Sequence, residues 1–225
     1  MNGKIEARLS ALNRGEILHY LGYSGQKIDS TLSAQIDRCA ALVTKAAVPR
    51  LVWVRLPMEH KTVFDWESRD LESLLDDCRE HILLAATIGA GVDQLIHRYE
   101  ISNMADAVIM DACASAAIEN VCDHAEHHLR EMLRKEGLYL TDRFSPGYGD
   151  LPMSAQRGIC KRLDTGRKIG VMLSGSGLMI PRKSVTAIMG IAQRPVQRRT
   201  RGCDICSLGA DCPYRRAGTR CSAAR

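Results

Sequence analysis

Residues 143–152, RFSPGYGDLP, place a guanidinium and a phenol in a turn that is rich in proline and glycine. Pro146 fixes its own φ and has no backbone N–H to donate. Gly147 allows backbone conformations and close approaches that a Cβ would block. The run therefore predicts a rigid loop that holds Arg143 and Tyr148 at a defined separation, and it excludes helix interior or a central strand.

The chemistry of this loop suits a small ligand. Arg143 can bind a carboxylate through two parallel hydrogen bonds, and Tyr148 can stack on a base or face a cation. The peptide groups of Ser145–Gly147 can contact the edge of an adenine, and Glu119 lies on a long predicted helix upstream. A zwitterionic amino acid joined to a nucleoside would use all of these groups. The alternative interpretation is a structural turn, in which Arg143 forms a salt bridge with a local acid and Tyr148 is packed.

A second candidate site lies in the last part of the chain, where four cysteines follow the spacing C-x2-C-x5-C-x8-C: Cys203, Cys206, Cys212 and Cys221. Four thiolates can complete a tetrahedral zinc site or hold an iron–sulfur cluster. The neighbouring arginines lower thiol pKa values and so favour metal binding. Because only one C-x-x-C pair is present, the pattern leaves zinc, an iron–sulfur cluster and free thiols all open.

Positive charge is concentrated in the same segment. Residues 194–225 contain eight arginines and two aspartates, a net charge of +6, whereas the whole chain of 225 residues carries +5. Such a segment suits an acidic protein surface or nucleic acid phosphates, and a solvated chain end is the alternative. No apolar run reaches the roughly 20 residues of a membrane span, and the first ten residues lack the apolar core of a secretory signal. We therefore expect a soluble, cytoplasmic protein.

Hydrophobic periodicity predicts a mixture of helices and strands. The predicted helices cover residues 5–22, 29–48, 70–78, 103–136 and 154–163. The predicted strands cover residues 50–58, 81–88, 168–173 and 185–192, and 61–66 could pair with the first of them as a hairpin. Gly89-Ala90-Gly91 leads from a strand into a helix, but Gln94 stands where a dinucleotide-binding fingerprint needs its third glycine. Strict βαβ alternation is absent, so the pattern indicates the α+β class.

Two segments resemble the activation (reactivation) domain of cobalamin-dependent methionine synthase. That domain's S-adenosylmethionine loop has an arginine, two variable residues, P-G-Y and a later proline, which is the pattern of residues 143–152. Residues 164–190 are similar to the domain's strand, serine-containing loop, Met-x-Pro and Ser-Val strand. The long helix that carries Glu119 also fits, and the resemblance is strongest over residues 100–192.

The resemblance implies an α+β fold with a twisted antiparallel sheet and flanking helices in a curved shape. Residues 1–100 would supply the first helices and strands, 101–193 the S-adenosylmethionine-binding part of the same domain, and 194–225 a basic, cysteine-rich tail. By the same resemblance, Arg143 would hold the methionine carboxylate, and Glu119 would contact the amino acid or the ribose. The nucleoside would meet Tyr148 and the loop backbone at Ser145, Pro146 and Gly147.

The function implied by the resemblance is reductive reactivation of a corrinoid methyltransferase, most simply a split methionine synthase. A partner subunit would present the cobalamin, and a flavodoxin-like or ferredoxin-like protein would supply the electron. The segment that gives methionine synthase a further aromatic contact to the ligand is replaced here by the basic tail. Two other functions stay open: an iron–sulfur protein that reduces a corrinoid protein directly, and a basic zinc-ribbon protein that binds nucleic acid. Aromatic residues are only 4% of the chain, which disfavours base stacking and hence nucleic acid.

Overall fold

A computed structural model describes residues 5–23, 26–58 and 67–196. Its seven helices are α1 (Arg14–Tyr20), α2 (Ser30–Ala46), α3 (Arg69–Leu75), α4 (Ala90–Ser102), α5 (Met104–Lys135), α6 (Ala155–Leu163) and α7 (Thr165–Ile169). Its six strands are β1 (Arg50–Pro57), β2 (Cys78–Thr87), β3 (Tyr139–Leu140), β4 (Met172–Leu173), β5 (Met179–Ile180) and β6 (Ser184–Ala192). Within these three ranges the elements confirm the α+β class.

An antiparallel sheet with strand order β1-β2-β6-β3 forms the centre of the fold. Its two middle strands pair along almost their whole length, with Leu84 opposite Ala187 and also opposite Trp53 of β1. Among the described strands the sheet does not close on itself, because β1 and β3 are its two edges. β4 and β5 form a separate two-stranded hairpin.

Helices cover both faces of the sheet. Ile82 and Leu84 pack against the second half of α5, while the intervening Leu83 packs against α3 and α6. Since successive side chains of a strand point to opposite faces, α5 lies on one face and α3, α6 and α7 on the other. The first half of α5 packs with α1, α2 and α4 in a second part of the core. The loop that precedes α6 begins at the edge of the sheet, between these two layers, because Phe144 pairs with Ile188 of β6.

One helix prediction and one strand prediction need correction. The helix expected over residues 5–22 is only α1, because the Asn13 side chain accepts hydrogen bonds from the Gly15 and Glu16 amides and begins the helix there. The strand expected over residues 168–173 is mostly wrong, since its first residues end α7 and only Met172–Leu173 form β4. Gly170, with φ of +72°, ends α7 in the left-handed conformation that glycine adopts without strain.

The other strongly periodic elements lie within a few residues of their predicted positions. The start of α4 lies very close to the end of α2, because a Cβ at Gly91 would come 2.9 Å from the Ala46 carbonyl oxygen. The hairpin expected at 61–66 lies outside the described residues. No helix in the described ranges is both long enough and apolar enough to cross a membrane.

Candidate functional site

The segment 143–152 forms a compact loop that its own backbone stabilises. The Gly147 amide donates to the Leu151 carbonyl at 2.8 Å, and the Tyr148 amide donates to the Ser145 carbonyl at 3.1 Å. Gly147 and Gly149 have φ values of +90° and +53°, which residues with a side chain adopt only with strain. The sequence prediction of a rigid turn is confirmed, and both glycines are required by the backbone conformation.

The first end of the loop is attached to the central sheet. Phe144 and Ile188 of β6 exchange two backbone hydrogen bonds, at 2.9 and 2.8 Å. Phe144 thereby continues the edge of the sheet beyond β3. This pairing fixes the direction in which Arg143 leaves the backbone.

The second end of the loop is attached to the start of α3. The Asp150 carboxylate accepts hydrogen bonds from the Ser68 hydroxyl and from the amides of Arg69 and Asp70, at 2.8 and 3.3 Å for the two amides. The Asp150 amide in turn donates to the Asp70 carboxylate at 3.3 Å. The Ser68 hydrogen bond and the two amides lower the pKa of Asp150. A Cβ on Gly149 would overlap the Asp70 carboxylate, so only glycine allows this approach. We call the contact of Asp150 with residues 68–70 the loop latch.

Arg143 contacts three carboxylates of α5. Its Nε donates to Glu126 at 2.8 Å, and its Nη2 donates to Glu119 at 3.2 Å and also to Asp123. These acids are spaced i, i+4 and i+7, so they share one face of the helix. The Arg143 side chain is only 6% exposed. Burial alone would lower its pKa, but the Cys122 thiol and the three carboxylates raise it above its usual value.

A second arginine extends the cluster. Arg130 donates to Glu126 at 2.7 Å, to Asp142 at 3.2 Å and to the Thr141 carbonyl at 3.0 Å. Glu126 is thus held between two guanidinium groups. Burial would raise the pKa of this carboxyl, but the hydrogen bond from Arg130 and the charges of both arginines lower it below its ordinary value.

The whole cluster carries more negative than positive charge. It joins two arginines to four carboxylates, those of Glu119, Asp123, Glu126 and Asp142, which gives a formal net charge of −2. Asp123 and Glu119 are 54% and 25% exposed, so the excess charge faces solvent. We call this group the anionic cluster. Its chemistry favours a cationic ligand, or the ammonium end of an amino acid.

The predicted binding residues occupy different environments. The Tyr148 ring is 67% exposed beside the buried Pro146, and Ser145 is half-buried. Glu119 and Arg143 lie in direct contact, as expected if they share one site. Their roles toward a ligand stay predictions. In this conformation Arg143 has the salt bridges that the sequence left open as the alternative interpretation.

Sequence reasoning missed several residues of this region: Asp123, Glu126, Arg130, Asp142, Asp150 and Ser68. The i, i+4, i+7 row of acids on α5 was visible in the sequence. Its pairing with Arg143 was not, because that pairing depends on where the loop crosses the helix. The latch gave no local signal, since Ser68 and Asp150 are 82 residues apart.

The predicted metal site cannot be placed. Cys203, Cys206, Cys212 and Cys221 lie outside the described residues, as does most of the basic tail. Within the described ranges there is no group of three or more side chains suited to hold a metal ion. The five cysteines of those ranges are free thiols, and burial raises the pKa of Cys122 to about 12.

Comparison with known proteins gives one informative result. No protein-family model and no curated protein matches the sequence. Among solved structures, the fold matches that of a methionine synthase reactivation domain. The matching structure is described as the "Crystal Structure of the MetH Reactivation Domain bound to AdoHcy", with a TM-score of 0.62 and 15% sequence identity. The match covers 95% of this chain and 83% of that one. The fold expected from the sequence resemblance is therefore confirmed.

Proposed function

We propose that this protein binds S-adenosylmethionine and presents its methyl group for the reductive reactivation of a corrinoid methyltransferase, most simply a split methionine synthase. The observation that carries the proposal is an Arg-x-x-Pro-Gly-Tyr loop with an exposed tyrosine, fixed at both ends, on the fold of a domain that has been solved bound to AdoHcy. Arg143 links this loop to the acids of α5.

The charge of the ligand gives the anionic cluster a specific role. S-adenosylmethionine carries a sulfonium cation and an ammonium group, whereas AdoHcy lacks the sulfonium charge. Glu119 and Asp123, which are partly exposed, can attract the cationic part of the ligand. The exposed Tyr148 ring can stack on the nucleoside. We infer that the cluster favours S-adenosylmethionine over AdoHcy.

Arg143 can take the ligand carboxylate only if its present partners rearrange. Among the described residues its hydrogen bonds to carboxylates use Nε and Nη2. Asp123 is the most exposed of its three partners, so it is the one that water stabilises best when it is displaced. We propose that the ligand carboxylate replaces Asp123 at Nη2.

An open site suits the transfer that we propose. The corrinoid is a large flat group held by the partner protein, and its reduced cobalt would accept the methyl group. This chain's contribution is to hold the sulfonium methyl in line with that acceptor, which is catalysis by positioning. The partner subunit, the flavodoxin-like or ferredoxin-like donor and a cytoplasmic location all belong to this proposal.

Calorimetric titration with S-adenosylmethionine and with AdoHcy tests ligand binding. We expect saturable binding of S-adenosylmethionine, and binding by Tyr148→Ala that is weaker by about fivefold or more, since a base–aromatic stack contributes about 1–3 kcal/mol. Tyr148 is largely exposed, so its removal leaves the core intact. Tyr20→Ala, which removes a half-exposed ring from α1, is the matched control and should bind like the wild type. A wild-type chain that shows no saturable heat with either compound contradicts the proposal.

The cysteine tail is tested separately. We propose that Cys203, Cys206, Cys212 and Cys221 bind zinc or an iron–sulfur cluster, on the spacing alone. Anaerobic purification followed by metal analysis and a visible spectrum separates the outcomes. Broad brown absorbance supports a cluster, bound zinc without colour supports a zinc site, and a metal-free protein with four reactive thiols refutes both.

A further inference from the structure

The outer surface of α6 and α7 carries a dense group of positive charges. Five cations lie within twelve residues: Arg157, Lys161, Arg162, Arg167 and Lys168. All five are exposed, whereas Ile159 and Leu163 point inward and pack in the core beneath them. The only acid in residues 157–168 is Asp164, so the segment has a net charge of +4. We call these five side chains the cationic face.

The acids of the described ranges do not neutralise this face. Of the five side chains of the cationic face, only Arg167 has an ion pair with a described acid, Asp164 at 3.6 Å, and the Arg167 side chain is 88% exposed. Elsewhere the arginines commonly have close carboxylate partners; Arg55, for example, pairs with both Glu80 and Glu136. Like charges one turn apart destabilise a helix by about 0.2–0.5 kcal/mol per pair. Repulsion among these charges therefore opposes their grouping in the free protein.

Helix dipoles explain only part of the pattern. Cations near the end of a helix are favourable, and Lys161, Arg162, Arg167 and Lys168 lie in the last turns of α6 and α7. Arg157 is different, because it lies in the first turn of α6, where the dipole disfavours a cation. Arg50 of β1 adds a further exposed charge nearby, with its Nη1 3.6 Å from where a Cβ of Gly170 would lie.

The cationic face lies next to an exposed apolar strip. α6 follows directly on the loop of residues 143–152, and Met153 and Tyr148 at this junction are 51% and 67% exposed. An acidic partner seated on α6 would therefore also contact apolar side chains, which is the usual composition of a protein interface. Tyr148 is the only aromatic side chain of residues 145–171, so the surface offers few stacking platforms for single-stranded nucleic acid.

We propose that the cationic face of α6 and α7 is the docking surface for an acidic protein. Charge complementarity of this kind steers a partner into position and speeds association, with a strong dependence on salt. The inference does not depend on S-adenosylmethionine binding, because it rests on the charges of α6 and α7 alone.

The test uses the full-length protein and a defined probe, an alanine-based helical peptide with glutamates spaced four residues apart. The first variant replaces four cations of the face by glutamine: Arg157, Lys161, Arg162 and Lys168. The matched control replaces four exposed cations that are scattered over other elements: Lys27, Lys45, Arg98 and Lys135. Both variants lose the same total charge, and both keep the basic tail.

Peptide binding is measured at low salt by calorimetry, and the contact surface is mapped from amide chemical shifts. We expect the affinity to fall at least about tenfold in the face variant and less than about twofold in the control, because local rather than net charge steers docking. Shift changes should centre on residues 155–169. Equal losses in the two variants would overturn the proposal. So would duplex DNA of equal charge that binds the same face more tightly than the peptide does, since the occupant would then be a nucleic acid.

Discussion

At the scale of single residues, the candidate site depends on side chains that connect distant parts of the chain. Arg143 joins the loop to three acids of α5, and Asp150 joins the other end of the loop to the start of α3. Neither residue needs to touch a ligand to matter for binding. Each limits the orientations that the Tyr148 ring can adopt, so each should influence affinity through geometry.

The loop latch should control ligand affinity more than it controls overall stability. Asp150→Ala removes an acceptor shared by the Ser68 hydroxyl and two amides of α3. We expect S-adenosylmethionine to bind several-fold more weakly, because the loop loses one of its two fixed ends, while the core is untouched. Asp150→Asn keeps one carbonyl acceptor and should recover part of the affinity. Calorimetry and a urea unfolding curve measured on each variant separate the two effects.

Equal affinities for Asp150→Ala and the wild type would show that the latch does not position the loop. Weak binding with an equally large loss of stability would indicate a structural role only. Ser115→Ala is a suitable control, since Ser115 accepts a hydrogen bond from Lys183 at 2.9 Å but lies away from the loop latch.

Glu119 should contribute to the discrimination between the two nucleosides. Glu119→Gln removes one negative charge from the anionic cluster and keeps a hydrogen-bond acceptor for Arg143. We expect the affinity for S-adenosylmethionine to fall and that for AdoHcy to change less, because only the former carries the sulfonium charge. The preference between the ligands should shrink by about 1 kcal/mol, as for a partly exposed charge pair. An unchanged preference in paired titrations would contradict this role.

At the scale of elements, α5 packs against both the helical part of the core and the central sheet. Its first half packs against α1, α2 and α4, its second half packs on the sheet, and its acids hold Arg143. A buried charge fixes α2 on this helix: Asp106 accepts hydrogen bonds from Gln35 at 2.7 Å and from Arg38 at 3.0 Å. The position of α5 therefore sets both the core and the candidate site.

Removing the Asp106 carboxylate should loosen the contact between α2 and α5. The side chain is 4% exposed and its partner Arg38 is 57% exposed, so the abandoned guanidinium can be hydrated. We expect Asp106→Ala to lower the free energy of unfolding by about 2 kcal/mol, mainly from lost charge-assisted hydrogen bonds. Asp37→Ala, which breaks an exposed pair with Arg14, should cost less than about 1 kcal/mol. Urea denaturation of the two variants compares them directly, and similar losses would refute the distinction.

Elements with a long and regular hydrophobic pattern were predictable from sequence. α2, α5, β1, β2 and β6 lie within three residues of the predicted bounds at either end. The predictions were wrong around α1 and α7. The Asn13 cap sets where α1 begins and the left-handed Gly170 sets where α7 ends, and hydrophobic periodicity shows neither boundary. The rigid loop of residues 143–152 was predictable from its proline–glycine motif, whereas its salt bridge to Glu119 was not. Its anchoring to α3 and β6 is a tertiary contact that no local pattern encodes.

At the scale of the whole molecule, the buried histidine of the central sheet should make stability depend on pH. His81 of β2 is fully buried beneath the α3 and α6 layer. Burial lowers its pKa from 6.5 to about 4, with a further decrease from Arg162 and a smaller opposing effect of Glu80. The fold thus favours the neutral imidazole. Its contribution to stability is complete above about pH 6.5, where the unfolded chain is also neutral, and is lost as the pH falls toward 4.

The expected size of this effect can be measured. Between pH 7 and pH 5 the unfolded chain takes up a proton at His81 that the folded chain does not. This uptake lowers the free energy of unfolding by about 2 kcal/mol. Urea unfolding at the two pH values should show this loss in the wild type. His81→Leu should reduce the difference between the two pH values, whatever its absolute stability. If His81→Leu keeps the full difference in unfolding free energy between the two pH values, other titrating groups cause that difference.

The arrangement of the two middle strands also has a consequence for how the chain reaches its native state. β2 ends at Thr87 and its partner β6 begins only at Ser184, so nearly a hundred residues separate the two halves of the central ladder. During synthesis the edge of β2 that pairs with β6 stays unpaired until β6 has left the ribosome. Contacts of such long sequence separation form slowly. A nascent chain that stalls before Ser184 therefore carries an open hydrophobic edge, which makes it a substrate for chaperones.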